Sequence, residues 1–286
     1  MRLFMLLILF FNMLFSASLL FKSSFEEGVY LDSPDKKGSQ IWWQEIRGSD
    51  NEDFSWPITI NQKEAQFQMI TNKSPFYGYI ENEIETIIND NGDENRVLHQ
   101  VIKEKDHPWT QDPYVLYTNG DEQKKLYIRY SLKFPKNLSE ILGPDGWLTF
   151  SEYKTYGDYR QALYVYSDKN KHLYWYVHGD NVVKNDIPYQ EYWKRENRNV
   201  SVLEGEWMDI EIFWNRSQED DGRFWLAVDG EIIFNYFGST KKAEAIHQIM
   251  LFTNYANVPI EQWIDNVEIW DNFPCGIGKS CYRKNE

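Results

Sequence analysis

The stretch GEWMDIEIFWNRSQEDDGRFWLAVDGEIIFNYF, residues 205–237, decides the fold class. Met208, Ile210, Ile212 and Trp214 alternate with Trp207, Asp209, Glu211 and Phe213, and Phe224, Leu226 and Val228 alternate with Trp225, Ala227 and Asp229. This is the two-residue period of pleated strands, not the helical period. The polar run 215–222 reads as a surface loop, and Asp229-Gly230 supplies the positive φ of a tight hairpin. Three consecutive antiparallel strands are predicted.

Working outward, the same alternation recurs at 19–25, 66–70, 126–134, 147–155, 160–167, 172–178, 246–255 and 263–270. Residues 78–88 allow a helical alternative, because Ile80, Ile84, Ile87 and Ile88 fit its spacing. Asn91-Gly92 and the alternating Val97, His99 and Val101 favour a hairpin instead. Residues 180–199 read as a long polar insertion, and 107–113, with two prolines, as a loop at the rim of a binding site. Many short strands with polar turns predict an all-β, two-sheet antiparallel sandwich in one domain, 19–274. Within it, 147–155 poses a register problem. If Phe150 faces the core then so do Glu152 and Lys154, so a bulge or a switch of face is required.

The chain carries a net charge of −14 over 286 residues. Its field disfavours nucleic acid and anionic membrane surfaces as partners. Residues 1–18 read as a cleaved secretory leader, with Arg2, an apolar run and Ser16-Ala17-Ser18 at its end, so the mature chain is expected to be secreted or periplasmic, with no membrane contact once cleaved. In an exported chain the two cysteines, Cys275 and Cys281, read as one disulfide stapling a tail, 275–286. The 12 Trp and 19 Tyr are rings suited to both sandwich cores and sugar-binding surfaces.

FKSSFEEGV at 21–29, the central GEWMDIEIFW and GRFWLAVDGEIIF, and QWIDNVEIWDNFP at 262–274 resemble the concanavalin-like, laminin-G-like jelly rolls of secreted polysaccharide lyases, glycoside hydrolases and carbohydrate-binding modules. Among these, the chain is most similar to the jelly-roll lyases of the heparin-lyase-like and glucuronan-lyase-like groups. The resemblance implies a protein that acts on a polysaccharide, with β-elimination beside a uronic acid as the leading activity and noncatalytic glycan binding as the alternative; a monomer is expected. A hydrolase is the third reading; Asp209 and Glu211 share a strand face, with Glu206 before them, but not at the spacing such hydrolases use. The resemblance also implies a structural Ca²⁺ held by Glu26, Glu27 and Asp265 where first and last strands pair; no organic cofactor is expected.

A lyase must neutralise the uronate carboxylate and supply a base and an acid. Glu152-Tyr153-Lys154 occupies the place where the resembling lyases carry an amide or acid two residues before His. Lys154 is a candidate base, whereas Glu152, a candidate substrate contact, would repel a uronate. Tyr164 and Tyr166 project opposite Leu163 and Val165, and Tyr174, Tyr176 and His178 project opposite Leu173, Trp175 and Val177. If these strands are neighbours, four tyrosines and a histidine share one face. Arg129 and Lys133 are expected to join it from another strand. The candidate catalytic groups are therefore Lys154, Tyr164, His178 and Arg129, with Glu152, Lys133, Tyr166, Tyr174 and Tyr176 contacting substrate.

Overall fold

Alternating apolar and polar residues along nearly the whole chain produce strands rather than helices in the computed structural model. It describes residues 17–33, 35–37, 41–60, 66–73, 80–89, 91–103, 114–118, 124–155, 159–181, 188–240, 247–256 and 258–282. Most of the leader and the 107–113 loop lie outside the described residues. In chain order the strands are β1 (Leu19–Ser23), β2 (Val29–Leu31), β3 (Asp35–Lys37), β4 (Ile41–Gln44), β5 (Ile46–Gly48), β6 (Gln66–Lys73), β7 (Ile80–Ile88), β8 (Glu94–Ile102), β9 (Tyr114–Thr118), β10 (Lys125–Lys133), β11 (Trp147–Thr155), β12 (Tyr159–Ser167), β13 (Leu173–Asp180), β14 (Glu191–Asn197), β15 (Trp207–Asn215), β16 (Arg223–Val228), β17 (Glu231–Phe237), β18 (His247–Met250), β19 (Tyr255–Ala256) and β20 (Ile260–Trp270). Among the described residues there is one short helix, α1 (Leu138–Leu142). None is long and apolar enough to cross a membrane.

Two antiparallel sheets form the sandwich expected from the alternation. Sheet I runs β17-β16-β15-β10-β20-β8-β7, with β1 also paired to β20; sheet II runs β14-β13-β12-β11-β18-β9-β6-β4-β3, with β19 also on β11. The hairpin β16–β17 turns at Asp229 and Gly230, both at positive φ (49° and 84°), the backbone that Asp-Gly favours. The hairpin reading of 78–103 holds: β7 and β8 pair along their whole length.

The core lies between the sheets. Ile128, Leu132, Ile210, Ile212 and Ile264 of sheet I face Phe150, Leu163, Val165, Trp175 and Val177 of sheet II, all fully buried. Edge-on ring contacts cross the gap, Tyr153 to Trp214 at 5.3 Å and Phe134 to Phe150 at 6.4 Å. Each such side chain contributes about 1.5–3 kcal/mol by leaving water. A smaller cluster, Tyr127, Phe213, Trp225, Ala227 and Phe273, lies on the far side of sheet I. The Cys275–Cys281 disulfide, with Cα atoms 5.2 Å apart, closes the tail over it.

Two sequence expectations change. The 180–199 stretch contains β14, an edge strand whose Trp193 is buried while Lys194, Arg195 and Glu196 face solvent; charge on an edge strand hides its alternation. And β10, which carries Arg129 and Lys133, pairs with β15 and β20 in sheet I, not with the tyrosine strands of sheet II.

Candidate functional site

Strands β11, β12 and β13 are neighbours in sheet II, and their outward phases meet on one face. On β12 the outward residues are Arg160, Ala162, Tyr164 and Tyr166; on β13 they are Tyr174, Tyr176, His178 and Asp180. The inward residues Leu163, Val165, Trp175 and Val177 belong to the core. On β11 a bulge between Thr149 and Ser151 resets the pleat. Phe150 and Tyr153 both enter the core, and Glu152 and Lys154 turn outward opposite Ala162 and Arg160. The register problem posed by the sequence is solved there.

A network of charges underlies this face. Arg160 grips Asp180 with two guanidinium nitrogens, Nε to Oδ1 at 3.0 Å and Nη2 to Oδ2 at 2.6 Å. Its Nη1 reaches Glu152 Oε1 at 3.5 Å, and Lys154 Nζ lies 2.6 Å from Glu152 Oε2. Burial alone would push the Glu152 carboxyl up, but Lys154 and Arg160 outweigh it and hold the group below its ordinary range. Glu152 therefore repels less than the sequence suggests, because its charge is taken up by two cations.

Tyr164 Oη and His178 Nε2 lie 3.3 Å apart, and the same nitrogen is 3.3 Å from Asp180 Oδ2. Burial pushes the His178 pKa down, against the pull of Asp180, so the ring is neutral at neutral pH. Burial pushes the Tyr164 hydroxyl well up, so it keeps its proton. We assign the imidazole proton to Nε2, shared between Asp180 and Tyr164, which leaves the lone pair on Nδ1. Only 7% of His178 and 8% of Tyr164 is exposed, so both meet solvent at their edges. Around them Tyr166, Tyr174 and Tyr176 are half-buried, with neighbouring centroids 4.8–5.9 Å apart. Tyr176 donates to Glu191 Oε2 at 3.1 Å, and the guanidinium of Arg198 covers Tyr174 at 3.6 Å. Gly179 is required here: a Cβ would lie 2.4 Å from Trp193 Nε1 and 2.8 Å from Tyr159 Oη, the two groups packed behind the site.

Of the residues singled out in the sequence, Glu152, Lys154, Tyr164, Tyr166, Tyr174, Tyr176 and His178 come together. Arg129 and Lys133 do not. Arg129 sits on the outer face of sheet I, bonded to Asp209 at 3.1 Å, and Lys133 lies between the Trp207 and Trp263 rings. The cation that serves the tyrosine face is Arg160, which stands in phase with Tyr164 and Tyr166 in the sequence, as Asp180 does with His178. That phase was the signal for both. The carboxylate pair of the hydrolase reading is engaged elsewhere. Glu211 is wholly buried, accepting from Tyr127 Oη, Ser280 Oγ and the Cys281 N–H, while Asp209 accepts from Arg129 and Ser131.

The first and last strands do pair, β1 against β20, and Asp265 is buried at that junction, accepting from Asn95 Nδ2 at 3.0 Å and the Asn266 N–H at 2.7 Å. Burial raises its pKa to about 6, with the Glu26 and Asp50 carboxylates adding to the rise. Glu27 is exposed, and the Asp50 carboxylate also bears on Asp265. Because the folded pKa lies above the ordinary 3.8, the protonated form is the better partner of the fold. Its stabilisation is complete below about pH 4 and lost as pH rises through about 6, about 3 kcal/mol in all. In chelator-containing buffer Asp265→Asn is therefore expected to melt higher than the parent at pH about 8 and close to it at pH about 4; an equal difference at both would remove Asp265 as the cause.

The sequence matches no family profile and no curated protein. Among solved structures, it is similar to the endo-β-1,4-glucuronan lyase of the fungus Trichoderma reesei, at 10% identity over 67% of this chain and 90% of that one, TM-score 0.47. It is similar to alginate lyase Aly36B in complex with alginate tetrasaccharide, at 12% identity over 64% and 82%, TM-score 0.43. The binding domain of Botulinum neurotoxin DC matches at 12% identity over 71% and 45%, TM-score 0.38.

Proposed function

We propose that this chain is an exported protein that acts on a uronate-containing polysaccharide at the outer face of sheet II, cleaving it by β-elimination. The observation that carries the reading is the contact of Tyr164 Oη with a neutral His178, beside the cations Arg160 and Lys154. The environment pushes the two titrating groups apart in the sense an elimination needs. His178 Nδ1 takes the proton α to the uronate carboxylate, and that C–H pair becomes the new C=C bond. The C–O bond of the β-linked sugar breaks, and Tyr164 protonates the departing oxygen. Lys154 and Arg160, shared with Glu152 and Asp180, donate to the uronate carboxylate, which makes the α proton acidic. Asp180 holds the His178 tautomer.

The half-buried tyrosines Tyr166, Tyr174 and Tyr176, with the exposed Tyr189 nearby, favour a second reading on the same face, glycan binding without cleavage. The reading includes a Ca²⁺ ion held by Asp265 and Glu26, for which these hard carboxylate oxygens and their surplus negative charge suit. Incubation of the mature protein with a panel of uronate and neutral polysaccharides, with and without calcium, tests it through ultraviolet absorbance of the unsaturated product. A rise on a uronate polymer is the expected result. No rise, with retention of the protein on one polymer, assigns the face to binding alone.

A further inference from the structure

We propose a divalent transition-metal site on the outer face of sheet I, formed by Glu83, Glu85 and His99, with Zn²⁺ as the ion that suits it best. Glu83 on β7 stands directly opposite His99 on β8, and Glu85 follows two residues on, in the same pleat phase. One ligand atom from each converges to within 4.8 Å of the others. His99 Nδ1 is 3.2 Å from Glu83 Oε1 and 3.2 Å from Glu85 Oε2. Atoms bound at about 2.0–2.2 Å to one tetrahedral or octahedral ion lie roughly 3–3.5 Å apart, so both separations have the length that a shared metal sets.

The surroundings fix the lone pair that such an ion needs. His99 Nε2 lies 3.1 Å from Glu261 Oε2, a third carboxylate, on β20. A neutral imidazole carries one N–H, and Glu261 takes it. Nδ1 then faces two anionic oxygens, an arrangement that a cation on that nitrogen, a proton or a metal ion, makes favourable. Trp263 orients the rest: its indole stacks on the imidazole at 4.6 Å and 10°, and its Nε1–H donates to Glu85 Oε2 at 2.9 Å. One imidazole nitrogen with two carboxylates excludes Ca²⁺ as the best fit, since Ca²⁺ takes oxygen alone, and matches Zn²⁺. The Glu83 side chain is 66% exposed and Glu85 37%, so the outward coordination positions belong to water. The ion ties β7, the last strand of sheet I, to its neighbour β8.

Calorimetric titration of the chelator-treated full chain with zinc chloride at neutral pH tests the site. One equivalent is expected to bind and raise the melting temperature, with binding lost in His99→Gln and weakened about 10–100-fold in Glu261→Gln, the effect of removing an orienting partner. In the unaltered protein, zinc is expected to shift the imidazole ¹⁵N resonance of His99, a readout that needs no variant to fold. Absence of saturable binding, binding unchanged in His99→Gln, or a His99 ring protonated on both nitrogens and indifferent to zinc would each overturn the proposal.

Discussion

Asp180→Ala is expected to lose about 3–5 kcal/mol of unfolding free energy, the cost of stranding a buried cation. Asp180 has no exposed side-chain surface and takes both Nε and Nη2 of Arg160. Without it the guanidinium keeps only the 3.5 Å contact to Glu152, whose other oxygen is held by Lys154. A guanidinium keeps its proton at any pH at which the protein folds, so Arg160 does not shed it to relieve the strain. The loss is read as a lower urea midpoint with unchanged slope. Pairing the variant with Arg160→Met should recover most of it, because an apolar side chain of similar volume has no charge to strand. A loss below about 1 kcal/mol would mean that water solvates Arg160 and that the pair is a surface feature.

Tyr164→Phe is expected to reduce uronate cleavage at least 100-fold, the scale of a lost proton donor, while leaving the fold nearly intact. The Tyr164 ring touches Trp147, Tyr166, Tyr176 and His178 at centroid distances of 5.2–6.1 Å, and phenylalanine keeps all four contacts. What is lost is one hydrogen bond with His178, worth about 1 kcal/mol. Initial rates and glycan retention, measured on the same preparation, separate the roles. Slow cleavage with full retention identifies the hydroxyl as the acid; an unchanged rate would move the proton to another group on this face.

Much of this was legible before any coordinates. The two-residue period placed β10 to β13 and β15 to β17 within a residue or two, and the phase along β12 and β13 put the four tyrosines and His178 together. The sidedness of Arg129 and Lys133 was not legible, because period shows which residues of a strand share a face but not which sheet the strand joins. That choice is made by partners far away in sequence, Glu211 and Glu268 opposite Arg129. The cross-strand pair Arg160 and Asp180 depended on register, set by the β12–β13 turn. The Glu83, Glu85 and His99 grouping needed both the hairpin register and Glu261 from β20, more than 150 residues away.

The extra residue at Phe150 divides β11 into two halves, each with its own phase. An ordinary strand tolerates neither insertion nor deletion, since one residue exchanges its faces from end to end. Here Trp147 and Thr149 answer to Tyr166 and Tyr164, and beyond the bulge Glu152 and Lys154 answer to Ala162 and Arg160. Removing Phe150 would close β11 into one regular run against β12, with Trp147, Thr149, Glu152 and Lys154 all still outward, and would cost the core one ring. The aromatic floor and the ionic floor of the face are thus joined across one residue, whose ring the core keeps and whose backbone the pairing with β12 leaves over.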